Sequence, residues 1–274
     1  MKSVCQLFRH SNSNIVGMLH LPALPGTPAN NSTMTEILER VSHETSVYSR
    51  LGVDGLIIEN MHDTPYCLAR DLEPHITACM SVVGRRVRDL VSDRTVPVGV
   101  QVLAGGNKEA LAVALAAGLQ FVRAEGFVFS HVADEGWMDG CAGPLLRYRN
   151  NIGAGQVKVV CDIKKKHSAH TVTGDVDITE TARAARFFRA DGVIVTGGST
   201  GDPARPEELE DVMRAVPGLP VMVGSGVRAD NIQQYRLASA CIIGSEFKRE
   251  GRWENELDEE RIGAVLHEAK RLRG

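Results

Sequence analysis

The sequence lacks a long hydrophobic run and a strong charge of either sign. No apolar stretch approaches the roughly 18 residues that a membrane-spanning helix requires, and the first residues lack the apolar core of a secretory signal. The net charge is -3 over 274 residues, so we expect no basic surface for nucleic acid. These absences predict a cytoplasmic protein with no membrane span and no nucleic-acid partner. Residues 1–14 contain Lys2 and Arg9 but no acidic residue, which makes the mitochondrion the alternative location.

Paired cysteines and a nucleotide P-loop are also missing. The six cysteines are scattered without a Cys-x-x-Cys pair, and several lie in apolar runs, so we expect free thiols rather than a disulfide framework. The signature Gly-x-x-x-x-Gly-Lys-Ser/Thr does not occur, which disfavours P-loop nucleotide hydrolysis.

Strand-like apolar runs alternate with helical patterns eight times along the chain. The runs cover 15–20, 55–59, 96–103, 121–125, 157–162, 192–196, 221–223 and 241–243, and the helical patterns cover 34–51, 74–92, 108–117, 144–150, 179–189, 206–216, 228–238 and 257–272. Strands that alternate with helices form a parallel sheet, and the length is close to the roughly 250 residues of an α/β barrel. We predict a single-domain (β/α)8 TIM barrel over residues 15–274, preceded by an N-terminal extension of residues 1–14.

Small residues follow the last three predicted strands, which is the pattern of a phosphate site. Glycines allow the backbone to approach a ligand closely, and a helix that begins near Arg228 would direct its N-terminal dipole at an anion. In a TIM barrel the loops after the seventh and eighth strands commonly bind phosphate. The predicted phosphate-binding residues are Gly197, Gly198, Gly224, Ser225, Gly226, Gly244 and Ser245. The alternative is that these residues only form tight turns.

Ionisable and amide side chains occur at the ends of the predicted strands. Residues two apart share a face of a strand, so Asp162 and Lys164 are predicted to point into the barrel mouth together. We predict that they carry out acid–base chemistry with Glu59, because a carboxylate and a partly dehydrated lysine can move protons or polarise a carbonyl. The predicted substrate-binding residues are His20, Asn60, Gln101, Arg123, Glu125 and Thr196.

Other readings of the same residues stay open. Lys164 belongs to a run of three lysines that could simply attract a phosphorylated ligand, and Arg123 could pair with a neighbouring carboxylate. Glu59, Glu125 and Asp162, with His20, could instead hold a divalent metal such as Mg²⁺ through oxygen-rich ligation. The metal ligands and the cofactor are unknown at this stage.

Several segments together resemble the BtpA/SgcQ family over most of the chain. They are Gly17-Met-Leu-His-Leu-Pro-Ala-Leu-Pro-Gly26, Gly52-Val-Asp-Gly55, Glu59-Asn60, Pro65-Tyr66, Ile152-Gly-Ala-Gly-Gln-Val-Lys158, Val195-Thr-Gly, Thr200-Gly201, Val223-Gly-Ser-Gly-Val227 and Gly244-Ser-Glu-Phe-Lys248. The resemblance implies a TIM barrel of the ribulose-phosphate-binding type. It implies no single reaction, because the family is named for a member linked to photosystem I biogenesis while other members lie among sugar-metabolism proteins.

The residues and the resemblance favour an enzyme that acts on a small phosphorylated metabolite, either a sugar phosphate or a nucleotide-like compound. The reaction would be that of a lyase, an isomerase or a hydrolase, with the phosphate held by the loops after the sixth to eighth strands. Two alternatives remain: a non-catalytic assembly factor that uses the barrel as a scaffold, and a metal-dependent phosphohydrolase. A homo-oligomer is compatible with a barrel of this kind.

Overall fold

Eight parallel strands close into a barrel in the computed structural model, which describes residues 7–273. In chain order the barrel strands are β1 (Asn14–His20), β2 (Gly55–Glu59), β3 (Val98–Gln101), β4 (Phe121–Ala124), β7 (Lys158–Ile163), β9 (Gly192–Val195), β10 (Val221–Val223) and β11 (Ala240–Ile243). Pairing of β1 with both β2 and β11 closes the ring, which confirms the predicted TIM barrel.

Seven α-helices accompany the strands within the described residues. They are α1 (Met34–Leu51), α2 (Pro74–Leu90), α3 (Asn107–Ala117), α4 (Ala142–Asn151), α5 (Ile178–Phe187), α6 (Pro206–Ala215) and α7 (Glu259–Arg273). Helix α1 begins with a reciprocal cap, in which Thr33 Oγ1 accepts from Glu36 N at 3.3 Å and Glu36 Oε2 accepts from Thr33 N at 2.7 Å. It ends at Gly52, whose φ of 84° favours glycine.

Most buried apolar side chains pack in two layers, one between strands and helices and one inside the barrel. A third, smaller cluster includes Leu68, Leu103 and Met138. The inner layer includes Met18 and Phe121, and Phe8 joins it at the end where the strands begin. The Phe8 ring packs edge-on against Phe121 with centroids 6.4 Å apart. Part of the predicted extension therefore belongs to the packed barrel, and residues 1–6 lie outside the described residues.

The helix predicted over residues 228–238 is wrong. This segment contains a turn followed by a 3₁₀ helix at Ile232–Tyr235. The Asn231 side chain accepts from Arg228 N at 2.8 Å and donates to Gly226 O at 2.8 Å. These hydrogen bonds satisfy the backbone in a turn and so compete with helix formation. The predicted phosphate site after β10 consequently has no α-helix dipole directly behind it.

Residues 131–138, which lie outside the predicted strands and helices, contain an antiparallel hairpin. Its strands are β5 (His131–Ala133) and β6 (Gly136–Met138), and β8 (Ser168–Ala169) pairs with the other side of β5. This small sheet follows β4 and β7 at the mouth of the barrel. Within residues 7–273 no helix is long and apolar enough to cross a membrane, and the five cysteines in that range are free.

Candidate functional site

A cavity of about 540 Å³ opens at the ends of the barrel strands. Eleven of the residues predicted for the site line it: His20, Glu59, Gln101, Arg123, Glu125, Asp162, Gly224, Ser225, Gly226, Gly244 and Ser245. Five do not: Asn60, Lys164, Thr196, Gly197 and Gly198. The loops that follow seven of the eight barrel strands contribute to its wall, so strands far apart in sequence supply one concave site.

Arg123 and Asp162 form a buried ion pair on the neighbouring strands β4 and β7. Arg123 Nη2 lies 3.0 Å from Asp162 Oδ1, and Arg123 Nε lies 3.2 Å from each carboxylate oxygen. Burial raises the pKa of Asp162, and the charge of Arg123 opposes that effect. The pairing that the sequence left open for Arg123 is therefore present, and it holds both groups in place in the floor of the cavity.

Glu125 and Lys165 form a second buried pair. Lys165 Nζ donates to Glu125 Oε1 at 3.0 Å, and Gly105 N donates to Glu125 Oε2 at 2.8 Å. Burial alone would raise the pKa of Glu125, but Lys165 and the Gly105 amide outweigh burial and the pKa is lowered. Glu125 is thus held as a carboxylate with both oxygens occupied.

Glu59 has a different environment because its neighbour is a histidine. Glu59 Oε2 lies 3.5 Å from His20 Nε2, and within residues 7–273 it forms no salt bridge to a lysine or an arginine. Burial raises the pKa of Glu59. Burial, followed by the charge of Lys248, lowers the pKa of His20 well below its usual value. A neutral imidazole therefore accompanies a carboxyl group that gains and loses a proton more readily at moderate pH than Glu125 does.

Lys164 does not reach the cavity, because the strand, with its alternating inward and outward side chains, ends one residue before it. Strand β7 ends at Ile163, and Lys164 adopts a positive φ of 47°. Its Nζ donates to Thr173 O at 2.8 Å, and the residue lines a separate surface pocket. The expectation that Asp162 and Lys164 share a face is therefore wrong. The next two residues of the same lysine run, Lys165 and Lys166, line the cavity instead.

Lys166 lines the cavity although the sequence analysis did not predict it as a site residue. Its N donates to Thr196 Oγ1 at 3.1 Å and its Nζ donates to Thr200 Oγ1 at 3.3 Å. Across the described part of the chain it forms no salt bridge, and burial, with the nearby charge of Arg123, lowers its pKa. The signal in the sequence was the lysine run itself, but the run does not tell which of its members faces inward.

The glycines after β10 and β11 make room for functional side chains. A Cβ on Gly224 would lie 2.6 Å from Ile194 Cγ2 and 3.2 Å from Arg123 Nη2, and a Cβ on Gly244 would lie 2.8 Å from His20 Cε1. Such distances require the neighbours to move. These glycines therefore let Arg123 and His20 lie across the strand ends, and they leave a wall of small residues beside the cavity.

Gly197 and Gly198 face a separate surface pocket, together with Thr196 and Lys164. The loop after β9 is joined to the loop after β10 because Gly197 N donates to Ser225 Oγ at 2.6 Å. Thr200 and Gly201, further along the loop, are the residues that reach the main cavity. The predicted loop therefore does contribute to the site, but through Thr200 and Gly201 rather than through Gly197 and Gly198.

Residues 197–201 also have the spacing Gly-x-Ser-x-Gly, which is typical of the nucleophile elbow of serine hydrolases. An elbow places its serine on a sharp turn directly between a strand and a helix. Here the Ser199 hydroxyl donates to Asp202, and α6 begins only at Pro206. The segment is therefore a loop that contributes Thr200 to the cavity rather than an elbow.

Asn60 supports the site from behind. Its Oδ1 accepts from Leu103 N at 2.7 Å and its Nδ2 donates to Asp63 Oδ2 at 2.9 Å, so it connects the loops after β2 and β3. Among residues 7–273 no group of three or more histidine, cysteine, aspartate or glutamate side chains could hold a metal ion. Two of the carboxylates proposed for Mg²⁺, Glu125 and Asp162, are paired with Lys165 and Arg123. Mg²⁺ binding stays a prediction.

Comparison with known sequences identifies relatives along nearly the whole chain. The BtpA family model matches residues 11–271. An uncharacterized protein of Caenorhabditis elegans, whose name calls it mitochondrial, is 48% identical and the alignment covers 98% of both chains. The photosystem I biogenesis protein BtpA of Synechocystis is 33% identical, over 95% of this chain and 89% of its own length.

Solved structures with the same fold have low sequence identity. Phosphoribosyl anthranilate isomerase of Thermus thermophilus superposes with a TM-score of 0.58 at 12% identity, over 95% of this chain and all of the other. KGPDC of Streptococcus mutans gives 0.57 at 12% identity, over 96% of this chain and 100% of that one. Orotidine 5'-monophosphate decarboxylase of Methanocaldococcus jannaschii superposes with a TM-score of 0.56 at 12% identity, over 97% of this chain and 100% of the other. At these identities the likeness shows the barrel fold alone.

Proposed function

We propose that this chain, which belongs to the BtpA family, is an enzyme that acts on a small phosphorylated metabolite by proton transfer. One observation carries the proposal. At the strand ends the cavity contains two buried ion pairs, Arg123–Asp162 and Glu125–Lys165. Between them lie two ionisable groups, Glu59 and Lys166, that form no salt bridge to a lysine, an arginine or a carboxylate within residues 7–273. Paired charges hold a site together, whereas unpaired ones are free to act on a substrate.

Glu59 and Lys166 have complementary roles in this proposal. Glu59 transfers the proton, because its raised pKa brings it closer to the pH at which a general acid or base works best. Lys166 stabilises the negative charge that develops on a substrate oxygen, since its ammonium group is partly buried and forms no salt bridge to a carboxylate in the described part of the chain. Thr196 positions Lys166 through its backbone N. This arrangement suits an isomerase or an aldolase-type lyase.

The phosphate would bind beside the small residues that follow β10 and β11. Gly224, Ser225, Gly226, Gly244 and Ser245 line that side of the cavity. Two arginines, Arg228 and Arg261, line it as well, and they form salt bridges to Asp230 and Glu246, respectively. Small residues permit close approach of an anion to the backbone, and the arginines favour negative charge. The proposal therefore separates the cavity into a side that anchors the phosphate and a side that performs the chemistry.

A thermal-shift screen tests this proposal. The purified protein is heated with phosphorylated sugars, nucleotides or inorganic phosphate, each with and without Mg²⁺, because a ligand of the native state raises its apparent stability. We expect a shift with phosphorylated compounds that Ser225→Asp abolishes. Ser46→Asp, which adds the same charge on the exposed side of α1, is the matched control and should retain the shift. A shift that survives Ser225→Asp would contradict the proposed phosphate site.

A second candidate function is a non-catalytic assembly factor, which the name of the Synechocystis relative favours. The two functions differ in their dependence on Glu59. Cells that need this protein should tolerate Glu59→Gln at unchanged protein level if the barrel is only a scaffold, and should lose the function if it is an enzyme.

The name of the Caenorhabditis elegans relative favours a mitochondrial location over the cytoplasm. A carboxyl-terminal fluorescent fusion would test this, since mitochondrial fluorescence is expected and an even cytoplasmic distribution would contradict it.

A further inference from the structure

The tryptophan at the mouth forms one wall of the cavity. Trp253 is half-buried and lines the cavity in the loop after β11. Its ring centroid lies 4.9 Å from that of His62 at an interplanar angle of 48°, and 6.4 Å from that of His20 at 83°. Two histidine rings thus hold the indole in place, and a ring fixed in this way loses little entropy when a ligand packs on it.

Apolar residues after β2 and β3 continue this wall on the far side of β1. Met61, Tyr66 and Leu103 line the cavity there. The Tyr66 hydroxyl donates to Met61 O at 2.5 Å, so its polar end is already satisfied and its ring remains as apolar surface. These three residues and Trp253 form an apolar sector. In barrel order the three follow β2 and β3 on one side of β1, the small residues follow β10 and β11 on the other side, and Trp253 packs against His20 on β1 itself.

Gln101 places an unsatisfied acceptor in the apolar sector. This residue on β3 is 2% exposed, and its Oε1 has no hydrogen-bond partner in the part of the chain that the structure describes. A buried polar atom without a partner is costly, so a ligand that supplies a donor at this point gains affinity. The apolar sector therefore contains the Gln101 acceptor, and the Glu59 carboxyl group follows beside it on the neighbouring strand β2.

We propose that the substrate carries, besides its phosphate, a planar heteroaromatic ring with an N–H donor, as a nucleotide does. The ring lies in the apolar sector against Trp253, and its N–H group donates to Gln101. This inference rests on the proposed function, because the phosphate side of the same cavity anchors the molecule. The cavity volume of about 540 Å³ leaves room for a ring beyond a phosphorylated pentose.

A two-by-two set of probes separates the ring from the phosphate. Isothermal titration calorimetry compares four classes: nucleoside 5'-monophosphates, the parent nucleosides, ribose 5-phosphate and ribose. We expect at least one nucleoside monophosphate to bind on the order of tenfold more tightly than ribose 5-phosphate, since stacking of a base on an aromatic side chain has about that effect. We also expect the monophosphate to bind more tightly than its nucleoside.

Variants then assign the two contacts. Trp253→Ala should remove the preference for the nucleoside monophosphate and leave ribose 5-phosphate binding unchanged. Gln101→Met, which keeps the length of the side chain and removes its acceptor, should reduce the preference severalfold. Trp137→Phe is the matched control, because Trp137 lies in β6 outside the cavity and its substitution should change neither affinity.

The outcomes distinguish this inference from the proposed function. Equal affinity for nucleoside monophosphates and ribose 5-phosphate overturns the ring site but supports the phosphate site. Equal affinity for a nucleoside and its monophosphate contradicts the phosphate site instead. A ring preference that persists in Trp253→Ala overturns the assignment to Trp253, and failure of all four classes to bind at millimolar concentration overturns the inference.

Discussion

The two ends of the barrel both contain charged residues, but they differ in how the carboxylates are paired. At the end where the strands begin, Asp191 Oδ2 accepts from Val159 N at 2.9 Å and from Arg149 Nη1 at 2.7 Å, while Lys158 Nζ lies 3.3 Å from Oδ1. Asp54 in the same way accepts from Ile15 N at 2.8 Å and pairs with Arg273. Each carboxylate there closes a hydrogen-bond network around the start of a strand.

At the mouth, Glu59, Lys166 and Gln101 line the cavity without such complete networks. The comparison teaches that the number of charges does not distinguish a site from a structural network. What distinguishes a carboxylate that can act on a substrate is the lack of an ion pair with a lysine or an arginine: Asp191 and Asp54 have such a pair, and within residues 7–273 Glu59 has none. A set of substitutions at both ends tests this distinction.

The largest effect should come from Glu59→Gln. We expect the turnover number for an identified substrate to fall by about 10²- to 10⁴-fold, because general acid–base catalysis contributes about that factor. Steady-state kinetics at saturating substrate is the measurement. Asp191→Asn, at the other end, should retain the wild-type turnover per folded molecule. Equal losses in the two variants would contradict the distinction between the ends.

The adjacent lysines 165 and 166 offer a matched pair for stability. Lys165→Met leaves the buried Glu125 without its cation and should lower the free energy of unfolding by about 3–5 kcal/mol. Lys166→Met removes a partly buried charge that forms no salt bridge within residues 7–273, so it should cost no stability while activity falls. Urea unfolding of both variants checks this. Similar destabilisation would mean that Lys166 is structural.

At the end where the strands begin, Asp191→Asn should lower the free energy of unfolding by about 2 kcal/mol, because Arg149 and Lys158 lose a charged acceptor. The same change in an exposed pair is the control. Asp89 pairs with Arg85 on the surface of α2, so Asp89→Asn should cost less than about 1 kcal/mol. Urea unfolding gives both values, and a loss at Asp191 no greater than at Asp89 would show that its network contributes little.

The smallest effect concerns pH. The pKa of Glu59 is raised in the folded protein above its ordinary value of 4.5, so the folded state binds the proton more tightly than the unfolded state. The contribution of Glu59 to stability is therefore lost as pH rises from about 4.5 through the raised pKa. Glu59→Gln does not titrate, so its stability relative to wild type should increase across this window. Urea unfolding between pH 4.5 and 8 measures the difference, and a constant difference would contradict the raised pKa.

Much of the fold follows from local patterns in the sequence. The eight apolar runs match the eight barrel strands because a buried parallel strand requires a continuous apolar run, which is visible in a single segment. The exception is the segment at 228–238, where Asn231 satisfies the backbone in a turn and overrides a helical pattern. The hairpin at residues 131–138 was also missed, because its short strands gain their pairing with β8 only after the chain has folded.

The candidate site was predicted well where a strand orients the side chain. His20, Glu59, Gln101, Arg123 and Asp162 all end or lie on barrel strands, and all line the cavity, because alternation along a strand determines which side chains point inward. Beyond the last residue of a strand this rule no longer applies. Lys164 follows β7 with a positive φ and leaves the site, and Lys166 enters it.

The sequence by itself determined the barrel, the edge at which polar residues collect and the small residues after the last two strands. Only the tertiary structure decided which carboxylates are paired with cations, that Gly224 and Gly244 accommodate Arg123 and His20, and that Trp253 and Gln101 face the same cavity. The physical reason is the range of the interactions involved. The periodicity of hydrophobic residues is visible within a short segment of the sequence. Ion pairing, burial and pKa, in contrast, depend on residues that the closed barrel brings together from distant parts of the chain.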